Sequence, residues 1–572
     1  MDLRQPDALL KVYKSLRECT TTHQPCHVPT ASQIEVPARL IQVSGFHDTS
    51  GDNDLKLVLT DTVDGLPPYL ALSYCWGGPQ TCKTEVANHE QRLSGFSSSE
   101  LDKTIRDAVE VTRAMHVEYL WVDAHCIIQD SDEDKRKEIS AMGNIFWRAL
   151  ATIVVEAASA SSEGFLNLYD RRPCTNVPFR CSEDVWGTLQ VHSVSREPPA
   201  LGTRAWTLQE IMLSQRQIIF GQNTLSWKCA EQSNDTLRSR LQIELLSGQV
   251  IASVFRGLIV ETDLANDTQA RELDSDDPSA HLQASFWTTV IHEYSGRDLT
   301  EEQDKLLAIS AWAKKVSQVH SWTYVAGLWR DWLELGLCWC RAGAPRFPFV
   351  NLKPRPKTYI APSWSWASVT GQCTWRLPFS EKEQFKLVCR VEDVVVNLHN
   401  SYAIYGRLTG GSLKISAPLV AIDFLSGKHP FDLSVGVRMM HNPLTVLIQP
   451  DTTESYGDMY GDIYFLILTR RRETDHQVKK WQSYVQQQQE AGNSCENKAV
   501  SDLESAIWAQ YGDNATFGSC KILDATNLVS CEGMILVRTA EDAVTYRRTG
   551  YFEATVRSTT LELLERRLIV VI

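Results

Sequence analysis

The chain lacks any surplus of positive charge. Its 57 Lys and Arg stand against 70 Asp and Glu, for a formal net charge of −13 over 572 residues. A general nucleic-acid surface needs a basic stripe, so that class of partner is excluded; a local basic pocket for a phosphate-bearing small molecule is not. No apolar run is long enough to span a bilayer, so no membrane segment is expected. The opening Met1-Asp-Leu-Arg-Gln-Pro6 lacks the basic-then-apolar order of a secretory signal, which points to a cytoplasmic protein. There is no Gly-x-x-x-x-Gly-Lys-Ser/Thr loop to cradle a nucleotide and drive oligomerisation. No internal repeat of solenoid or propeller period is present.

Cysteine is not scarce, but its arrangement lacks a framework. The 15 cysteines include no Cys-x-x-Cys pair. Cys338 and Cys340 are close, but flank Trp339 at what reads as the end of an element. A structural zinc site would need two close ligand pairs, and none stands out, so no metal is expected. An odd count at scattered spacing reads as reduced, buried thiols.

What is present is a large globular composition, 43% hydrophobic and 22% charged, with 17 Trp. The length predicts two or three domains, and the tryptophans predict an aromatic-rich interior. After an N-terminal extension over 1–36, with a short helical stretch near Ala8–Leu16, residues 37–230 alternate between two periodicities. Pro37–Val43, Leu55–Leu59, Leu70–Tyr74, Tyr119–Val122, Ala151–Val155 and Gln217–Phe220 read as strands. Leu101, Ile105, Ala108, Thr112 and Met115 recur at helical spacing, as do Ile139, Met142, Ile145, Phe146 and Ala149. Ser99/Asp102 and Ser131/Asp134 have capping-box spacing. Trp206–Leu213 reads as a further helix after a turn at Pro198-Pro199. Strand–helix–strand–helix–strand with short joints predicts an α/β domain with a parallel sheet and crossover helices. Residues 231–358 read as a mostly helical middle section with an acidic loop over Glu261–Ser279. Residues 359–572 read as β-rich, with strands at Phe385–Val396, Ser412–Ile422, Leu444–Gln449, Ile463–Leu468 and Met534–Arg538. A polar insertion falls near 472–501.

Ligands of open parallel sheets bind beyond the carboxyl ends of the strands. Here those ends carry Ser73, Tyr74, Trp76 and Gly77 after the first buried strand, and Asp123 after the second. Arg204 stands just before a helix and Glu210 lies inside it. Together they offer aromatic faces for a planar base, a guanidinium for a phosphate and two carboxylates. Two carboxylates at a glycosidic bond can stabilise an oxocarbenium-like centre and manage hydroxyls or protons. Each also has a plainer reading: Asp123 as a loop cap, Trp206 as core, and Glu210 as a solvated helix residue, though its place next to Ile211-Met-Leu213 puts it at a boundary. His125-Cys126 reads as structural, because nothing sets a base beside the thiol. Ser73 has no elbow glycine before it, which argues against a hydrolase nucleophile.

Three blocks in this order, Leu72-Ser-Tyr-Cys-Trp-Gly77, Leu120-Trp-Val-Asp-Ala-His-Cys-Ile-Ile-Gln-Asp130 and Arg204-Ala-Trp-Thr-Leu-Gln-Glu210, resemble the HET domain of fungal heterokaryon-incompatibility proteins. The resemblance covers roughly Pro37 to Cys229. Ala361-Pro-Ser-Trp-Ser-Trp-Ala-Ser368 and Tyr546-Arg-Arg-Thr-Gly-Tyr-Phe552 resemble segments often found downstream of such domains. The chain departs from the family's pattern at His125, where Leu is usual, and near Lys135, where Trp is usual. The resemblance implies self/non-self recognition and regulated cell death. HET domains are in turn distantly similar to TIR domains, which implies a TIR-like (flavodoxin-like) sheet with flanking helices. By that similarity Glu210 is the catalytic candidate, with Ser73, Tyr74, Trp76, Gly77, Asp123 and Arg204 lining the substrate site and NAD as substrate rather than cofactor. The alternative it implies is a non-enzymatic interaction module that works by self-association or through an incompatibility partner protein.

Overall fold

The computed structural model describes residues 6–23, 26, 36–43, 53–62, 66–80, 82–167, 174–180, 186–192, 199–221, 225–229, 278–342, 353–375, 385–400, 403–422, 446–453, 463–472, 528–539, 544–557, 564 and 566–572. Most of the acidic loop expected at 261–279, nearly all of the polar insertion near 472–501 and the turn residue Pro198 lie outside them. The chain divides into two compact units, Met1–Asp267 and Thr268–Ile572.

In the first unit, helix α1 (Pro6–Thr22) precedes strands β1 (Arg39–Gln42), β2 (Lys56–Leu59) and β3 (Tyr69–Ser73). Helices α2 (His89–Ser94) and α3 (Lys103–Ala114) lead to β4 (Tyr119–Trp121). The short α4 (Asp123–Cys126), the long α5 (Asp132–Arg148) and β5 (Ala151–Val155) follow. A separate hairpin of β6 (Cys174–Arg180) and β7 (Trp186–His192) precedes α6 (Ala200–Thr203), α7 (Ala205–Leu213), β8 (Arg216–Phe220) and β9 (Leu225–Cys229).

The main sheet has the order β2-β1-β4-β3-β5-β8-β9. Its centre is parallel, with Leu70 opposite both Leu120 and Ala151, and Val154 opposite Ile219. Every residue of β3, β5 and β8 is buried, the mark of strands covered on both faces. The sheet is mixed rather than wholly parallel: β1 runs antiparallel to β4 and to β2, and β9 antiparallel to β8. Phe220 and Leu225 are joined by too short a segment for a parallel crossover, which needs a dozen residues or more.

The helices follow their apolar spacing. Leu101, Ile105, Ala108, Thr112 and Met115 are all buried. Met142, Ile145, Phe146 and Ala149 of the next stripe are buried as expected, but Ile139 is only half-buried and Glu138 beside it is buried instead. Glu138 Oε1 accepts from the Ala38 backbone N–H at 3.2 Å, which gives the buried carboxyl a partner. Ser131 caps α5 through the Asp134 N–H, as its spacing predicts. The other expected cap differs. Ser97 and Glu100 form the capping box, over a 3-10 turn at Ser98–Glu100, and Asp102 sits at the N-cap of α3 with no side-chain cap bond. The turn puts Ser99 inside its own hydrogen bonding, so it cannot begin α3.

The second unit holds helices α8 (Pro278–Ser295), α9 (Ser310–His320) and α10 (Leu333–Gly336) and an eight-stranded sheet. β10 (Tyr324–Val325) and β11 (Leu328–Trp329) make a tight hairpin turned by Ala326 and Gly327, both at positive φ. β12 (Trp339–Arg341) pairs with β13 (Cys373–Trp375). The large sheet is built from β14 (Phe385–Leu387), β15 (Arg390–Leu398), β16 (Leu408–Ile422), β17 (Val446–Pro450), β18 (Ile463–Arg472), β19 (Leu528–Arg538), β20 (Thr545–Arg557) and β21 (Arg566–Val571). β16 pairs with β21 through Leu413–Pro418 and with β18 through Leu419–Ile422, so the path β18-β19-β20-β21-β16 closes on itself.

The two downstream motifs prove to be the knots of this unit. Ser365 Oγ donates to the Ala326 carbonyl at 2.5 Å, and the indoles of Trp366 and Trp287 donate to the Gly327 carbonyl at 2.8 and 3.2 Å. Arg548, fully buried on β20, pairs through Nε with Asp451 at 3.0 Å. It also donates to the carbonyls of Leu337 and Trp339 at 2.8 and 2.5 Å and lies 3.5 Å over the Trp339 ring. Its backbone N–H reaches Ser363 at 3.0 Å, which joins one motif to the other.

Candidate functional site

The candidate residues gather at the carboxyl edge of the parallel core. Side chains alternate in direction along the extended run from β3, and the alternation sorts them. Ser73 and Cys75 meet the α7 side, and Tyr74 and Trp76 meet Asp123. On the first face Ser73 Oγ donates to Glu210 Oε2 at 2.6 Å. On the second the Trp76 indole donates to Asp123 Oδ2 at 2.9 Å, while Asp123 Oδ1 accepts from the Ala124 N–H at 2.7 Å. Asp123 lies just past the end of β4, as the first residue of α4.

Arg204 lies between the two faces. It is the extended residue that separates α6 from α7, at φ −86° and ψ 134°. Its guanidinium donates to the Tyr74 carbonyl at 2.9 Å. Its charge acts on Asp123, Tyr74 and Cys75 alike. Burial pushes the Asp123 carboxyl above the usual range, opposed chiefly by Arg204 and by the Ala124 and Trp76 donors. Burial and then the neighbouring Asp123 charge push the Tyr74 hydroxyl well above its ordinary value; the hydroxyl faces Asp123 without a well-aligned hydrogen bond.

Glu210 is half-buried, and its helix is pinned from below. Ser214 Oγ donates to the Glu210 carbonyl at 2.6 Å and meets Thr152 Oγ1 of β5 at 2.6 Å. Leu201, Val154, Ile219 and Cys75 pack as a buried cluster at this edge, with Ile211 of α7 against it. Trp206 is half-buried rather than core; the buried face of α7 is Ala205, Thr207, Leu208, Gln209, Met212 and Leu213.

Gly77 has φ +72°, and a Cβ there would lie 2.2 Å from the Ala160 Cβ. Packing against the loop after β5 explains this glycine without a ligand. Gly78 faces open space. Cys75, which the sequence reading left out, is buried between Arg204 and Glu210. Its two-residue offset from Ser73 was the available signal. Cys126 is no nucleophile candidate: it is fully buried, its thiol is pushed up to about 12 by burial, and its Sγ faces the Val122 N–H. His125 is neutral, held down to about 3 by burial and by Arg92, and stacks on Phe96. That pairing accommodates His125 at its unusual position.

One group of the described residues could hold a metal ion, where the sequence led us to expect none. Cys19, His23 and Cys26 lie beside Cys229, and the four donor atoms are within 4.8 Å of one another. Cys19, His23 and Cys26 lie within eight residues and were open to a local spacing rule, whereas Cys229 stands 206 residues from His23 and was not. Among the described residues no helix is long and apolar enough to cross a membrane.

Residues 69–210 match the family model described as heterokaryon incompatibility protein (HET). Over 127 residues the chain is 28% identical to heterokaryon incompatibility protein 6, OR allele, of Neurospora crassa, an alignment that covers 21% of this chain and 19% of that protein. The matched part thus spans about a fifth of the relative's length. No solved structure matches the chain. The matched segment opens at the first residue of β3 and closes on Glu210, so it encloses the site described above. The chain thus carries, over residues 69–210, a segment that matches the heterokaryon-incompatibility (HET) family.

Proposed function

We propose that this protein acts in fungal incompatibility and that its HET domain cleaves the nicotinamide–ribose bond of NAD, with Glu210 as the catalytic carboxylate. The observation that carries the reading is the Ser73–Glu210 hydrogen bond of 2.6 Å, which aims a half-buried carboxylate at the carboxyl edge of the parallel core. The strand order within that core, β4-β3-β5-β8, is second-first-third-fourth in chain order, as in the flavodoxin-like sheets to which TIR domains belong. Such sheets bind ligands where the order reverses, beside the first strand, and Ser73 ends that strand here.

The chemistry asks little of the protein. Nicotinamide departs as a neutral base, so the C–N bond breaks with its electron pair going to the ring nitrogen and no acid is required. Water forms the new bond at the ribose carbon and loses its proton to a carboxylate or to solvent. Glu210 stabilises the oxocarbenium-like centre or orients the ribose hydroxyls. Arg204 suits a phosphate, and the half-buried Trp76 offers a face to a planar ring. Asp123 holds Trp76 in place.

A second reading is favoured by a different observation. Ser73, Trp76 and Arg204 all donate within the chain, to Glu210, Asp123 and the Tyr74 carbonyl. A network satisfied in this way also suits a rigid interaction module that recruits an effector. Expression of the native chain and of Glu210→Gln in a fungal host separates the two. The NAD reading predicts growth arrest with a fall in cellular NAD for the native chain and neither for the variant. Arrest by both forms with NAD unchanged contradicts it and supports recruitment.

A further inference from the structure

Outside the HET segment, the end of α1 and the edge strand β9 bring four metal-binding side chains together. Cys19 and His23 are one helical turn apart at the end of α1, and the next turn carries Cys26, whose N–H bonds the His23 carbonyl at 3.2 Å. Cys229 closes the set from β9. All four are buried, Cys19 and Cys26 completely. Their donor atoms lie within 4.8 Å of one another, and Cys229 Sγ is 3.4 Å from His23 Nδ1. Tetrahedral zinc with ordinary bond lengths sets its S···N and S···S edges at about 3.6 and 3.8 Å. The cluster is thus close to the size of a zinc tetrahedron.

The surroundings carry a second, independent sign. Arg216 of β8 is the direct cross-strand neighbour of Cys229 and is buried. Its Nε donates to Cys19 Sγ at 3.2 Å, and its other nitrogens donate to the carbonyls of Cys26 at 2.7 Å and Leu150 at 3.2 Å. A buried guanidinium whose described partners are two carbonyls and a sulfur needs a compensating negative charge. Three thiolates and one imidazole around a divalent zinc ion leave one negative charge, and Arg216 stands where it neutralises it.

We propose that Cys19, His23, Cys26 and Cys229 bind one structural zinc ion, with Arg216 as the outer group that balances its charge. A closed set of four protein ligands leaves no open position for substrate, so the metal's role is to fold and hold. Three ligands precede the HET segment and one follows it. The ion therefore clips α1 to β9 and fastens the two ends of the domain across the sheet edge. Cys3His with a buried, compact geometry favours zinc over magnesium or calcium, which prefer oxygen.

The test uses the full chain, purified under reducing conditions without chelator. Elemental analysis is expected to give about one zinc per chain. Cys19→Ser and Cys229→Ser should each drop that to about a tenth or less, while Cys82→Ser, outside the cluster, should keep it. Because the serine variants are prone to misfold, the native chain is also produced in cobalt-supplemented medium. Thiolate-to-cobalt charge-transfer bands and intense tetrahedral ligand-field bands, both lost on adding zinc, are the expected result. Three outcomes overturn the proposal: a zinc-replete native chain without zinc or cobalt bands, zinc retained in full by both serine variants, or a disulfide among Cys19, Cys26 and Cys229 in the unreduced peptide map.

Discussion

Ser73 and Glu210 are 137 residues apart in sequence, and a single 2.6 Å bond makes them one unit. On the proposed NAD cleavage, Ser73→Ala should therefore weaken turnover by about 10-fold, since it releases the carboxylate without removing it, a loss of one hydrogen bond to a charged group. Steady-state turnover of the two forms checks this. Glu138 carries a prediction of another kind. Burial pushes its carboxyl up to about 7 against the ordinary 4.5, with Arg39 and the Ala38 N–H opposing. The native state therefore keeps this proton to higher pH than the unfolded chain does. Stability is full below the unfolded value and is lost as pH rises through about 7. Glu138→Gln, which carries no ionisation cost, should stabilise the first unit by up to about 3 kcal/mol at pH 8 and by almost nothing at pH 4. Denaturant titrations at both pH values measure the difference, and an equal effect at the two would contradict the assignment.

At the scale of elements, the loop after β3 depends on a glycine. A Cβ on Gly77 would meet Ala160 at 2.2 Å with φ at +72°. Gly77→Ala should cost about 1–3 kcal/mol, by strain at a left-handed residue and by a clash with another segment's backbone. Gly78→Ala should cost less, since that position faces open space although its φ is +153°. Thermal melting of the two variants ranks them. The elements themselves were largely legible in sequence. Leu70–Tyr74 and Ala151–Val155 are apolar but for Ser73 and Thr152, which is what a strand buried on both faces requires. The α3 stripe followed from 3.6-residue spacing. What sequence hid was pairing between distant segments. The antiparallel edges, the buried Glu138 and the Cys229 partner of α1 depend on contacts that no local period encodes. The candidate site was legible in its residue types and in their place at the carboxyl ends of the strands. The division of labour between its two faces, and the presence of Cys75 in it, needed the fold.

At the scale of the molecule, each unit has its own way of joining remote segments. In the second, Arg548 and Asp451 form a fully buried pair tied to β12. Arg548→Met leaves the Asp451 charge buried alone and should destabilise that unit by about 3–5 kcal/mol, and pairing it with Asp451→Leu should recover much of the loss. Chemical denaturation of the full chain reads both variants. In the first unit the HET segment supplies both walls of the candidate site, and the central claim is that this site breaks the nicotinamide–ribose bond. The most direct measurement is nicotinamide release from NAD by the purified full-length chain and by Glu210→Gln, side by side, at protein concentrations high enough to permit self-association. Release by the native chain and its loss in the variant, with the variant's fold intact, is the predicted result. No release by the native chain, or equal release by both, would contradict the account.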